Sequence, residues 1–190
     1  MNILEKEIED LVQEYINTEK ENVFNLDKGI LLRQFELGNY GVVDLLHINY
    51  LAFNNPDERE KHLTITPIEI KRGKISYNEV GQICRYVKGI GSFISKKGYH
   101  DVFNSISVRG ILMGKEIDLS SDFVYAMELI ESISVYTFSL NLKTGLQFTK
   151  EDFGYTRTDE GFERIKNKQL KTVFRKLINI NNGYLQTDKN

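Results

Sequence analysis

A mixed α/β sheet with helices on its faces is the fold class that this sequence predicts. Apolar residues recur at helical spacing in some segments, and alternate or cluster with β-branched residues in others. These segments follow one another as helix, three strands, helix, strand, helix, one or two strands, helix. The chain has 190 residues, 41% hydrophobic and 27% charged, enough for one domain with a sizeable core over about residues 3–148.

Ile3, Leu4, Ile8, Leu11, Val12, Tyr15 and Ile16 recur at helical spacing, which predicts an amphipathic helix over 3–17. Ile30 to Leu37 reads as a strand, Gly38 to Gly41 as a tight turn, and Val42 to Phe53 as a second strand of a hairpin. The charged stretch from Asn54 to Lys61 reads as an exposed excursion, and Leu63 to Lys71 as the third strand. Ser76 with Glu79 makes a capping box for a helix with Val80, Ile83, Cys84 and Val87 on its buried stripe. Gly89 and Gly91 are expected to end or kink it. Ser105 to Gly114 is a strand, a capped helix starts at Ser120, and Ile133 to Leu142 is a strand that the segment GLQFTKE can pair with. A last helix is expected from about Asp159 to Ile178, before a loose tail. There is no internal repeat and no domain linker.

The net charge of -2 does not argue for a nucleic-acid coat, although charge is unevenly spread. Residues 5–21 are mainly acidic, whereas Arg164 to Lys176 holds six basic residues and no acidic one. That segment, with Lys168 and Lys171, reads either as a solvated helix face or as a phosphate-contacting stripe. The single cysteine, Cys84, excludes an internal disulfide framework and points to a reducing, cytoplasmic setting. It reads as a small core residue rather than a nucleophile. One cysteine and three scattered histidines give no zinc spacing. No apolar run is long enough to span a bilayer, and the acidic amphipathic N-terminus is unlike a secretory signal.

The chemistry concentrates in ITPIEIKRG, Ile65 to Gly73. Strand side chains alternate, so Glu69 and Lys71 share one side while Ile68 and Ile70 take the other. Asp44, inside the apolar segment GVVDLLHI, is costly to bury unless paired, hydrogen-bonded or metal-bound. If the two strands pair, Asp44 and Glu69 come close. Two carboxylates beside a lysine suit a hard divalent cation that keeps several waters, and Lys71 suits a developing negative charge. This is chemistry for phosphodiester hydrolysis. The bland alternative is a surface Glu69–Lys71 pair with Asp44 capping a bend.

GVVDLL, IEIKRG and QICRY resemble the motifs of the PD-(D/E)xK nuclease superfamily, particularly its RecB-like and NucS-like branches. The likeness covers residues 3–90; from 105 to 148 only the strand-helix-strand order is similar. It implies a restriction-endonuclease-like mixed sheet flanked by helices. It implies a site of a first-helix acid (Glu5, or Glu9), Asp44, Glu69, Lys71, Gln82 and Tyr86. By helical angle Glu5 lies nearer the apolar stripe than Glu9. Gln82 and Tyr86 share a face four residues apart, off the stripe of Val80 and Val87, so spacing alone leaves Gln82 in solvent. Asp44, Glu69 and the carbonyl of Ile70 would hold magnesium, or manganese. Arg33 reads either as a phosphate contact or as an ordinary strand arginine, with Gln34 beside it in a hairpin that looks like the family's. Arg72, Lys74, Arg164, Lys168 and Lys171 are further candidate phosphate contacts. The implied function is a magnesium-dependent nuclease acting on DNA. The alternative is a nuclease-fold module that binds nucleic acid or protein without turnover. Oligomeric state stays open, a homodimer included.

Overall fold

In the computed structural model the described residues are 4–18, 22–54, 59–119, 122–141 and 145–153. The basic C-terminal segment, with Arg164, Lys168 and Lys171, lies outside them.

In chain order the elements are α1 (Glu5–Thr18), β1 (Ile30–Glu36), β2 (Val42–Asn54), β3 (Arg59–Ile70), β4 (Lys74–Ile75), α2 (Tyr77–Lys96), β5 (Ser105–Val108), β6 (Gly110–Gly114), β7 (Glu116–Ile117), α3 (Phe123–Leu129), β8 (Ile133–Asn141) and β9 (Gly145–Glu151). Among the described residues, seven strands form one sheet in the order β1-β2-β3-β6-β8-β9, with β5 also on β3; β4 and β7 form a small parallel pair. The β1-β2-β3 and β8-β9 pairings are antiparallel, and β3-β5, β3-β6 and β6-β8 are parallel. The fold is therefore the expected mixed α/β sheet flanked by helices. No described helix is long and apolar enough to cross a membrane.

Each face of the sheet packs under a helix. Ile8 and Val12 of α1 pack with Leu45, Ile68, Ile70, Ile111, Met113, Tyr136 and Phe138 on one face. On the other, Val80, Ile83 and Tyr86 of α2 pack with Val43, Leu112 and Val135, and further along α2 Ile90 and Ile94 pack with Leu46, Leu63 and Ile65. Val43, Leu45, Ile68 and Ile70 are completely buried. Each such side chain contributes about 1.5–3 kcal/mol, which fixes the middle strands in register.

The structure corrects several expectations. The ends of the charged stretch Asn54 to Lys61 are strand, not excursion: β2 and β3 stay paired out to Asn54↔Arg59, Phe53↔Glu60 and Ala52↔Lys61, while residues 55–58 lie outside the described residues. Gly89 and Gly91 do not end α2, which runs on to Lys96. Gly89 is there for close approach, since a Cβ on it would lie 2.7 Å from Cγ of Tyr40. The predicted Ser105–Gly114 strand is two strands parted at Arg109, both parallel to β3. α3 is shorter than expected, and its N-cap residue is Asp122, which makes no side-chain capping bond. The capping box of α2 is present: the Ser76 hydroxyl accepts from the Asn78 N–H, and Glu79 accepts from the Ser76 N–H at 2.7 Å.

Candidate functional site

The site forms where two strands part. β2 and β3 pair from Asn54↔Arg59 down to Leu45↔Ile68 and then separate, while β3 continues beside β6 through Ile68, Glu69 and Ile70. Past that point the β2-β3 ladder has ended, and the Ile70 N–H meets no backbone carbonyl of β2. It donates instead to Oδ2 of Asp44 at 2.8 Å. A side-chain carboxylate thus takes the place of a backbone carbonyl at the fork.

Alternation along β2 breaks at the same place. Val43 packs on the α2 face and Leu45 on the α1 face, although residues two apart on a regular strand share a face. On β1 the irregular residue is Gln34, with φ +45, a left-handed conformation uncommon outside glycine. The β1-β2 register runs through Arg33↔Leu45 and Phe35↔Val43 and skips the pair between them, Gln34 and Asp44.

Glu69 and Lys71 lie on the same side of β3, and Lys71 Nζ donates to Oε1 of Glu69 at 2.5 Å. Glu69 is 1% exposed, and its other oxygen, Oε2, is buried with no hydrogen-bond partner among the described residues. Burial, then the charge of Asp44, push the Glu69 carboxyl up to about 7 against the opposing pull of Lys71. Burial also lifts Asp44, offset by the Ile70 N–H and reinforced by Glu9. Burial works against the Lys71 ammonium, yet its bond to Glu69 and the surrounding carboxylates outweigh that, so its pKa is raised.

The helix acids sit on the same site in different ways. Glu9 is buried, contrary to its angular distance from the apolar stripe. Both its oxygens accept from Nε2 of Gln34 at 3.2 Å, and Oε2 also accepts from Nη2 of Arg33 at 3.1 Å. Glu5 is exposed and accepts from the Arg72 N–H at 3.3 Å. Angle alone ranks Glu5 first; position along the axis reverses the burial, because Glu5 is in the first turn and Glu9 stands a turn deeper. Sequence reasoning missed the part played by Gln34, and no pattern in the chain signals its backbone conformation.

On α2, Gln82 is half-buried rather than solvated, and its Nε2 donates to the Tyr86 hydroxyl at 2.7 Å. That hydroxyl donates to the Val42 carbonyl at 2.6 Å. Tyr86 is 2% exposed and belongs to the core beside Val80, not to a separate face. Gly41, with φ +109, lets the chain pass the Tyr86 ring, where a Cβ would come within 3.2 Å. Arg33 is ion-paired to both Glu9 and Asp10, while Arg72 and Lys74 are exposed. Cys84 packs partly buried against the core, and burial raises its thiol pKa. Two cavities, of about 530 and 410 Å³, lie elsewhere, one beside His47 and one between β1 and α2.

Among the described residues no group of three or more His, Cys, Asp or Glu side chains is arranged to hold a metal ion. The smaller set of Glu69 Oε2, the Asp44 carboxylate and the Ile70 carbonyl is all oxygen, the donor type that a hard cation takes.

Fold and site together define a class: a mixed α/β chain with paired acids and a lysine where two central strands diverge. No family model and no curated protein matches the chain. Among solved structures it is similar to a repair endonuclease from Pyrococcus abyssi, at 20% identity and a TM-score of 0.45 over 72% of this chain and 47% of that one. The chain thus spans about half the length of that endonuclease.

Proposed function

We propose that this chain is a magnesium-dependent nuclease that hydrolyses phosphodiester bonds, a DNA endonuclease of the PD-(D/E)xK type. The observation that carries the reading is the fork: Glu69 and Lys71 on one side of β3, next to Asp44, with one buried Glu69 oxygen unpartnered. A buried acid facing a second acid with a single ammonium is short of positive charge, and a divalent cation supplies it.

Asp44, Glu69 and the Ile70 carbonyl would hold Mg²⁺, with Mn²⁺ as substitute. When bound, the cation neutralises charge on the phosphate and lowers the pKa of a bound water. Lys71 keeps its proton and offers it as a hydrogen bond to a phosphate oxygen gaining charge. Glu5 extends the acidic rim, and Gln82 and Tyr86 brace the start of β2 through Val42. Arg72, Lys74, Arg164, Lys168 and Lys171 supply phosphate contacts. Arg33, already paired with two acids, adds less than its charge suggests. A cytoplasmic setting and a homodimer are compatible with this reading.

A second reading has its own observation. Asp44 and Glu69 already accept from the Ile70 N–H and from Lys71, as they would in a binding or interaction module without turnover. The experiment that separates the two is incubation with labelled duplex, single-stranded, flap, junction and RNA substrates, with and without Mg²⁺ or Mn²⁺. Metal-dependent cleavage is expected, and Asp44→Ala, Glu69→Ala and Lys71→Ala are each expected to abolish it, because such groups act as a unit. Lys71→Ala protein cutting as fast as wild type would show that the site is wrongly assigned.

A further inference from the structure

We propose that Gln34 is a positioning residue that holds the α1 acid Glu9 and the β2 acid Asp44 in one site. The inference rests on the nuclease reading above and adds a residue to it.

An amide nitrogen carries two N–H groups, and ionised carboxylates only accept. Nε2 of Gln34 lies 3.2 Å from both oxygens of Glu9 and 3.5 Å from Oδ1 of Asp44. It is therefore a donor placed between two acids that would otherwise repel each other. The other Asp44 oxygen is taken by the Ile70 N–H, so its carboxylate is held from two sides.

The backbone explains how one strand delivers this. Successive strand residues point to opposite faces, so Arg33 and Gln34 should not reach the same group. Both donate to Glu9. The left-handed turn at Gln34, φ +45, swings its side chain round to converge with that of Arg33. Such a conformation costs free energy in a residue with a Cβ and persists where the surroundings enforce it. The skipped pair in the β1-β2 register falls on Gln34 and Asp44, the two residues the amide links. Gln34 is itself exposed, so these bonds do little for the stability of the fold.

This sets two roles against each other in one experiment. If residue 34 serves only the bend, glycine or asparagine should serve it as well or better, since both take left-handed conformations readily. If the amide positions the acids, glycine removes it and asparagine, one methylene shorter, falls short. Wild type, Gln34→Gly, Gln34→Asn and Glu69→Gln would be melted in chelator and titrated with Mn²⁺, calorimetrically and by the loss of its free-ion resonance signal. The expected result is that both Gln34 variants melt at or above wild type in chelator, and bind Mn²⁺ about tenfold or more weakly. Variants that bind Mn²⁺ as tightly as wild type would overturn the inference. So would a clearly lowered melting temperature for Gln34→Gly, which would make the side chain a brace of the hairpin. Wild type that binds no Mn²⁺ would sink the nuclease reading itself, and this inference with it, a result distinct from unchanged variants of a metal-binding wild type.

Discussion

Glu69 is buried, bonded on one oxygen and unpartnered on the other, with its carboxyl at about 7 instead of an ordinary 4.5. A raised carboxyl pKa means that the folded state holds the proton more tightly than the unfolded chain does. The stability this confers is complete below the ordinary value and lost as pH rises through about 7. In chelator, Glu69→Gln removes the charge that causes the loss, at the expense of the Lys71 pair. Its melting temperature relative to wild type should therefore climb between pH 4.5 and 7 and level off above. The gain at neutral pH is on the order of 1 kcal/mol, given partly screened like charges. Asp44→Asn should behave alike, and Mg²⁺ should stabilise wild type more than either variant. Melting curves for the three proteins across pH, with chelator and with Mg²⁺, check this. Destabilisation of both variants in chelator, with no effect of Mg²⁺ on wild type, would leave Glu69–Lys71 as a structural pair. The residues themselves were plain in the sequence, because an acid and a lysine two apart on an apolar strand are visible without a structure. The burial of Glu9 was not, since helical angle carries no information on depth along the axis.

At the scale of elements, the local signal that opens α2 was read correctly, whereas the cap of α3 and the tertiary signals were not. The Ser76–Glu79 capping box is a matter of neighbours in sequence, and it opens α2 as expected. Gly89 looked like a stop signal because glycine disfavours helix, but the helix passes through it to bring α2 against Tyr40. Gly89→Ala should accordingly destabilise the protein despite alanine's higher helix propensity. A Cβ 2.7 Å from the Tyr40 ring carbon forces a shift of the Gly38–Tyr40 turn, at a cost of about 1–3 kcal/mol. Gly91→Ala, with open space around the added Cβ, should gain stability instead, by up to about 1 kcal/mol. Chemical denaturation of the two variants tests the contrast, and equal effects would refute the packing argument. The length of the β2-β3 hairpin was hidden for a related reason. Arg59, Glu60 and Lys61 are charged, yet a strand needs only a partner, and Asn54, Phe53 and Ala52 provide one.

For the whole molecule, charge distribution matters more than net charge. The formal value is -2, but Arg72 and Lys74 lie next to Lys71 in the chain and Arg164 to Lys176 holds six basic residues and no acidic one. Nucleic-acid affinity should fall as salt rises, because each phosphate contact releases counterions. Reversing charge at Lys168 and Lys171 should weaken binding at low salt and flatten the salt dependence. Unchanged low-salt affinity would remove that segment from the binding surface. Over the described residues the order of the main strands and helices was legible because each segment carries its own periodicity; the helix expected from about Asp159 to Ile178 lies outside them. The fork was not: it depends on β2 and β3 parting after Leu45↔Ile68, which only the assembled sheet reveals.

That fork also divides the chain by the order in which its parts can form. β1, β2 and β3 are consecutive and antiparallel, whereas β6 joins β3 in parallel only after α2 has crossed over. Closing near neighbours in sequence costs less entropy than closing distant ones, so the three-stranded meander is favoured as the folding nucleus. Asp44 and Glu69 both belong to it, so their mutual repulsion is met on the way up the barrier rather than after it. Asp44→Asn in chelator is therefore expected to speed refolding, whereas a truncation in β8, such as Val135→Ala, should chiefly speed unfolding. Stopped-flow chevrons would show it: an Asp44→Asn effect confined to the unfolding arm would mean that the two acids meet only after the rate-limiting step.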